Sequence, residues 1–286
     1  MTSGPPATRL LVDRMAIAAA AVRGRWWWLQ PTMRARARQA IDAIVGPGPT
    51  TDALAREHLI HAAERNMFIR RSGMVSGVPV DGVHHLRTAC AEGRGVLVSY
   101  CHLGPFAGLG VTVAEHVRGV HQVAGAWLAE PPPGVPQSLL WHRWRSMFDT
   151  AGVPLLTASG CFPVVSDLLK GGAVVVIAFD WPGSAETMFL GRPVCLASGT
   201  ARISHATGAL VVPVMRHFRR FRARTVFGAP LDPRRHAGWR GLHDALAAQH
   251  ERWILERPAA LEDPRRTGAW EDTATAERWG GPAASR

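Results

Sequence analysis

The spacing of apolar side chains changes along the chain, and the change divides it into two regions. Residues 10–45 and 51–71 carry apolar residues at intervals of three and four, which predicts helices separated by the breaker Gly46-Pro47-Gly48-Pro49. After Gly82, short apolar runs alternate with helical stretches. The runs predict strands at 96–100, 120–126, 153–157, 173–179, 210–215 and 222–227, with the last one a candidate edge strand.

The strongest strand signal is residues 173–179, Ala-Val-Val-Val-Ile-Ala-Phe. An unbroken β-branched run is typical of a parallel strand that helices cover on both faces. The intervening segments predict helices at 107–117, 137–151, 163–170, 198–207 and 239–257. We therefore expect an α/β fold with a largely parallel central sheet covered by helices, and an N-terminal helical region.

This organisation predicts three parts of the 286-residue chain. Residues 1–49 form an N-terminal helical segment, residues 50–263 an α/β domain, and residues 264–286 a polar, loosely ordered C-terminal tail. No internal repeat interrupts this pattern.

The net charge of the chain indicates which classes of partner it could bind. The formal net charge is +11, and Lys170 is the only lysine, so arginine supplies almost all of the positive charge. A basic surface favours phosphates on lipids, nucleic acids, CoA or a carrier protein, although a scattered basic surface without a ligand is the plainer interpretation. The Arg-rich run 216–222 is interpreted as a solvated bend between two strands, and no nucleic-acid partner is predicted.

Sequence motifs for metals, redox chemistry and nucleotide cofactors do not occur. Cys90, Cys101, Cys161 and Cys195 form no C-x-x-C pair, and we expect them to be buried thiols in a reducing cytosol. The thirteen histidines lack a ligand set at metal-binding spacing, and there is no dinucleotide fingerprint, Walker loop or G-x-S-x-G elbow. Neither a metal nor a cofactor is predicted, and the expected location is cytoplasmic.

Residues 10–29 are the segment closest to a membrane helix. Apolar residues recur there at helical spacing, but Asp13, Arg14, Arg23 and Arg25 interrupt them. Each charge at the centre of a bilayer costs about 2.5–3.5 kcal/mol on insertion scales, so we expect no membrane crossing. Two alternatives remain: the helix packs on the domain, or it lies peripherally at the inner face of the cell membrane, where Trp26-Trp27-Trp28 would suit the headgroup region.

Two ionisable residues follow strongly predicted buried strands. His102 comes after the strand at 96–100, and Asp180 comes directly after the strand at 173–179. In open α/β sheets, ligands bind beyond the carboxyl ends of the strands, so this pair could supply a base and the carboxylate that orients it. The competing interpretation is a structural histidine and a turn-capping aspartate.

Several segments, in this order and spacing, resemble motifs of the lysophospholipid acyltransferase superfamily over about residues 50–265. The branch they resemble contains the bacterial lipid A late acyltransferases and the phosphatidylinositol mannoside acyltransferases. The matching segments are 80–98, His102-Leu103-Gly104-Pro105-Phe106, 168–180, 189–193, 201–214 and 256–258 near Trp270.

The resemblance implies transfer of an acyl group from acyl-CoA or an acyl carrier protein to a hydroxyl or amine of a lipid or small molecule. It implies that His102 is the general base and that Gly104, with Arg145 and Arg192, contributes to substrate binding. Arg145 and Arg192 are candidates to hold a donor phosphate. The chain departs from the family pattern at Ala107, where the resemblance calls for a carboxylate.

Three hypotheses follow from the missing carboxylate. In the first, another carboxylate orients His102, with Asp180 the best candidate. In the second, the acceptor is an amine, which needs less assistance from a base than an alcohol does. In the third, the protein has lost catalysis and binds an acyl carrier or a lipid.

Overall fold

A central sheet of seven strands organises the computed structural model, which describes residues 7–129, 138–219 and 221–262. The strands are β1 (Val80–Asp81), β2 (Val96–Tyr100), β3 (Val120–Ala124), β4 (Leu155–Thr157), β5 (Val174–Ala178), β8 (Leu210–Arg219) and β9 (Arg222–Phe227). Two further strands, β6 (Pro182–Phe189) and β7 (Arg192–Leu196), form a separate hairpin.

The sheet is mostly parallel, as predicted. Its order is β1-β9-β8-β2-β5-β3-β4, and the five strands from β8 to β4 pair in parallel. Only the β8–β9 pair is antiparallel, and β1 pairs in parallel with β9. Because β1 extends the sheet by one short strand, β9 is not the outermost strand that the sequence suggested.

Helices cover both faces of the sheet, which explains the uninterrupted apolar runs. They are α4 (Val83–Ala91), α5 (Leu109–Ala114), α6 (Ala126–Ala129), α7 (Leu139–Thr150), α8 (Phe162–Lys170), α9 (Gly199–Thr207) and α10 (Gly238–Glu256). Successive residues of β2 enter different cores: Leu97 packs in the one that includes α8, α9 and α10, and Val98 packs in the one that includes α4, α5 and α7. Both side chains are fully buried.

The β6–β7 hairpin was not predicted from the sequence. Its two-residue turn consists of Leu190 and Gly191, both with positive φ angles of 54° and 74°. This is the turn geometry that suits a tight hairpin, but leucine is rarely found there, so the turn lacks the usual Asn-Gly signature, and the resemblance of segment 189–193 to a family motif did not by itself predict the two strands. The hairpin begins two residues after Asp180 and therefore stands beside the carboxyl end of β5.

The N-terminal region contains three helices, α1 (Ala7–Trp28), α2 (Pro31–Val45) and α3 (Thr51–Arg70). Pro31 begins α2, so the single helical stretch expected at 10–45 is two helices. Helix α1 packs against α3 at Gly24, where an added Cβ would lie 2.5 Å from the Ile60 Cα atom. None of the helices in the described residues combines the length and apolar character needed to cross a membrane.

The arginine-rich segment near residue 220 differs from its predicted form. Strand β8 continues to Arg219, and Arg216 is fully buried within it rather than solvated. Inward-pointing phenylalanines are also part of the sequence prediction for this bend. Phe218 is partly buried in agreement with it, but Phe221 is 41% exposed. Residues 131–136, for which the prolines predict a loop, lie outside the described residues, as do the C-terminal tail at 264–286 and Trp270.

Candidate active site

The sheet brings His102 and Asp180 together, although 78 residues separate them in the chain. Strands β2 and β5 are parallel neighbours, and Tyr100 is in register with Ala178. His102 and Asp180 each lie two residues beyond that pair. The two side chains therefore leave the same edge of the sheet at the same height.

Asp180 contacts His102 through both carboxylate oxygens. Its Oδ1 lies 2.7 Å from the imidazole Nδ1, and its Oδ2 accepts a hydrogen bond of 2.9 Å from the His102 backbone N–H. An ionised carboxylate only accepts, so we assign the ring proton to Nδ1. This tautomer leaves an unprotonated Nε2 on the other side of the ring. Asp180 is 1% exposed, which removes most competing water from the pair.

Aromatic rings surround the imidazole. Phe106 meets it edge-on at 4.5 Å between ring centroids, and Tyr100 and Trp181 lie at 5.6 and 6.2 Å. These contacts limit rotation of the ring and leave His102 only 9% exposed. Tyr100 ends β2, Phe106 lies in the turn that follows, and Trp181 directly precedes the β6–β7 hairpin.

His102 opens onto a cavity of about 410 Å³ at the carboxyl end of the sheet. Apolar side chains, including Val123, Ile177 and Ile203, form part of the wall. The first residues of α8 and α9 also line it, and each of these helices is nine residues long. The positive ends of two helix dipoles thus reach a site that has space for an apolar chain.

No described hydroxyl or thiol forms a hydrogen bond with His102. Cys101 is next to it in the chain, but burial, together with the charge of Asp180, raises the pKa of its thiol well above the ordinary value. Burial also raises the pKa of Cys161, which lines the cavity. Neither thiol is prepared to act as a nucleophile at neutral pH. The described residues likewise contain no group of three or more His, Cys, Asp or Glu side chains that could hold a metal ion.

A second polar layer, which sequence reasoning missed, lies behind the pair. His250 of α10 is buried, and its Nε2 lies 3.0 Å from the Ser99 hydroxyl on β2. Burial lowers the pKa of His250 to about 4, so the ring is neutral. It also stacks at 5.1 Å on Phe179, the residue before Asp180. A histidine on the buried face of a predicted helix is the one signal that could have identified it.

The remaining residues named from the sequence lie outside the cavity wall. Gly104 has a φ angle of 63°, and an added Cβ would lie 2.1 Å from the Arg216 carbonyl oxygen, so the backbone requires glycine there. Arg145 donates to the Ala129 carbonyl at 3.0 Å, and Arg192 donates to the carbonyl of residue 43 at 2.6 Å. None of the three is among the described residues that line the cavity.

No protein-family model matches this chain, and no curated protein matches it. Among solved structures, it is similar to the 1-acyl-sn-glycerophosphate (LPA) acyltransferase PlsC from Thermotoga maritima, with 14% sequence identity and a TM-score of 0.43. That match covers 85% of this chain and 97% of the other. The geometry around His102, rather than this similarity, is what bears on function.

Proposed function

We propose that this protein transfers an acyl group from a thioester, carried by acyl-CoA or an acyl carrier protein, to a hydroxyl or amine acceptor. The observation that supports it most directly is the His102–Asp180 pair at the wall of a partly apolar cavity. No nucleophile among the described residues contacts His102, and such a base suits direct transfer between two substrates better than it suits an acyl-enzyme intermediate. The resemblance of the His102–Phe106 segment to an acyltransferase motif points to the same chemistry.

In this mechanism, Nε2 of His102 removes the proton from the acceptor as its oxygen or nitrogen attacks the thioester carbonyl carbon. Asp180 stabilises the imidazolium that forms, because its Oδ1 already faces Nδ1 at 2.7 Å. The tetrahedral intermediate then collapses, and the carbon–sulfur bond breaks. His102 returns the proton to the leaving thiolate, which departs as a thiol while the new ester or amide remains.

The reaction also requires stabilisation of the developing oxyanion and a binding site for the acyl chain, and residues of the cavity would provide both. The negative charge that develops on the carbonyl oxygen would be stabilised by the N-termini of α8 and α9, which both reach the cavity. The apolar wall at Val123, Ile177 and Ile203 would hold the acyl chain. Because Asp180 orients His102 in place of a carboxylate at Ala107, the pair is complete enough for a hydroxyl acceptor as well as an amine.

We also propose that α1 contacts lipid. Ile17, Ala20 and Ala21 of this helix are buried, whereas other apolar residues face outward. The outward set consists of Leu11, Val12, Met15, Val22 and Trp26, with Leu29 directly after the helix, and each is at least 51% exposed. Trp27 and Trp28 instead pack partly against the core, so Trp26 is the tryptophan of this helix that is available to an interface. Exposed arginines on the same helix would meet anionic headgroups.

The test is a thiol-release assay with the purified protein, a panel of acyl-CoA and acylated carrier-protein donors, and hydroxyl and amine acceptors. His102→Ala should reduce release by about 10³-fold or more while the melting temperature stays within a few degrees of wild type. His205→Ala is the matched control, because His205 is exposed at the end of α9. Full activity in His102→Ala contradicts the mechanism, and a wild-type protein that binds donors without releasing thiol favours a non-catalytic binder.

A further inference from the structure

Strand β8 runs past the end of its neighbour β2, and Arg216 occupies this extension. The last register pair joins Tyr100 to Val214, so Arg216 lies alongside the turn that carries His102 and the residues after it. The Arg216 side chain is fully buried, and it is the largest of the fully buried side chains in the described part of the chain. The mechanism above makes no use of this buried cation.

The guanidinium group of Arg216 is hydrogen-bonded in several directions. Its Nη1 donates to the carbonyl oxygen of Ala107 at 2.9 Å and, more weakly, to that of Pro105 at 3.5 Å. Its Nη2 donates to the Thr112 hydroxyl on α5 at 2.6 Å, and its Nε donates to the Thr225 hydroxyl on β9 at 2.9 Å. All four acceptors are uncharged.

Burying the charge of Arg216 costs free energy unless its hydrogen bonds compensate for the lost hydration. Burial lowers the pKa of Arg216 to about 9, with a small opposing effect from Glu115, so the group still carries its charge at neutral pH. A buried cation without a contacting carboxylate has a desolvation cost that an apolar side chain of similar size would avoid. Core filling alone therefore does not explain an arginine here, whereas its multiple donors do.

Two of the four side-chain hydrogen bonds of Arg216 reach the turn next to His102. Pro105 and Ala107 flank Phe106, whose ring meets the His102 imidazole at 4.5 Å. The main chain of Arg216 approaches the same turn, because its carbonyl oxygen leaves no space for a Cβ at Gly104. The side chain of Arg216 thus binds the turn on both sides of Phe106, and its backbone packs closely against Gly104.

We propose that Arg216 is a positioning residue that fixes the 104–107 turn and, through Phe106, the orientation of His102. Asp180 holds the imidazole from the Nδ1 side, and the turn held by Arg216 confines it from the Phe106 side. An effect of Arg216 on the rate of acyl transfer rests on the proposed function, whereas its effect on the position of the turn and of His102 does not.

Two substitutions test this role. Arg216→Met keeps most of the side-chain volume and removes every donor. Arg216→Lys keeps the charge, but one ammonium on a flexible stem cannot hold the two carbonyls and two hydroxyls together. If Arg216→Met does not fold, Arg216→Lys therefore still tests the proposal.

Arg94→Met is the matched control. Arg94 also donates to a main-chain carbonyl, that of Gly208 at 3.0 Å, and pairs with Asp232. It lies beside the amino ends of β2 and β8, at the opposite edge of the sheet from His102. Loss of its contacts should lower stability without reaching the 104–107 turn.

The primary readouts do not depend on any substrate. Both Arg216 variants should exchange the backbone amides of Gly104 and Phe106 faster than wild type, and should shift the His102 imidazole resonances, assigned by comparison with His102→Ala. Arg94→Met should do neither. Where thiol release is measurable, Arg216→Met should lower kcat by about 10- to 10²-fold with little change in donor KM, since a small misplacement of a base has effects of this size.

Two results distinguish a failure of the proposed acyl transfer from a failure of the positioning role of Arg216. If the wild-type protein releases no thiol but the amide and imidazole changes occur, the proposed acyl transfer is wrong and the positioning role holds. If folded Arg216 variants keep the wild-type amide exchange and His102 resonances, as Arg94→Met should, the positioning role is overturned and Arg216 is only a part of the core.

Discussion

Replacing Asp180 with asparagine is the sharpest test of the His102–Asp180 pair, because the two hydrogen bonds that join these residues both come from donors on His102. The carboxylate accepts from Nδ1–H and from the backbone N–H of His102. An asparagine amide has the same shape, but it offers one acceptor and one donor group.

Either orientation of the amide in Asp180→Asn conflicts with His102. If the amide oxygen faces Nδ1–H, the NH₂ group opposes the backbone N–H of His102. If the oxygen accepts from the backbone, the NH₂ group faces Nδ1, which must then lose its proton to Nε2. The backbone N–H cannot change its role, so the second orientation is favoured, and Nε2 can no longer accept a proton from the substrate.

The expected loss of rate is large. The corresponding substitution in a serine protease, which acts through the wrong tautomer, costs about 10⁴ in kcat, or about 5 kcal/mol. We expect a loss of this order in thiol release by Asp180→Asn. Stability should change far less, by about 1–2 kcal/mol, because the lost charge-assisted hydrogen bonds are offset by removing a buried charge.

Single-turnover thiol release, followed at saturating donor, isolates this step from product release. Asp167→Asn is the matched control, since Asp167 lies on α8 with its side chain 78% exposed. The reasoning fails if Asp180→Asn is folded and its rate lies within tenfold of both wild type and Asp167→Asn. In that event the carboxylate is structural and His102 acts without its help.

Three further predictions concern the donor, the membrane and pH. Charge reversal at Arg145 or Arg192 should raise the donor KM, and salt should raise the wild-type KM; a donor KM that neither change affects would refute the phosphate role. The protein should sediment with anionic vesicles and be released by high salt or alkaline carbonate, and Trp26→Glu should weaken that binding; retention until detergent is added would contradict a peripheral contact. Burial opposes protonation of His61, but hydrogen bonds with two glutamates of α3 outweigh it and raise its pKa from 6.5 to about 9. The contribution of His61 to stability should therefore be fully present below pH 6.5 and fall by about 3 kcal/mol as the pH rises to 9, and His61→Gln should flatten this part of the curve of unfolding free energy against pH.

The elements of the fold could be predicted because their signals are local. The β-branched runs at β2, β5 and β8 are buried on both faces, and only a strand between two helical layers allows that. The same reasoning identified His102 and Asp180, because each follows such a run directly. Backbone periodicity is sufficient to place a residue at the end of a strand.

Local signals failed where contacts between distant segments decide the structure. The sequence indicates that β2 and β5 are both buried, but it does not indicate that they are neighbours in register. Without that register, the hydrogen bond between His102 and Asp180 is one of several pairings that the strand ends would allow. The β6–β7 hairpin was missed for a related reason, since Leu190 in its turn is held at positive φ by its surroundings and not by its own preference.

Arg216 is the clearest case in which the local sequence pattern predicted the wrong environment for a side chain. A run of arginines and phenylalanines favours a solvated bend, because a charged side chain is stable in a core only if acceptors surround it. Those acceptors come from the turn after β2, from α5 and from β9, which are far apart in the sequence. The sequence by itself determined which segments form the buried strands; the tertiary structure alone decided how far β8 extends, which strand ends meet and which charge is buried beside them, because these depend on groups that only folding brings together.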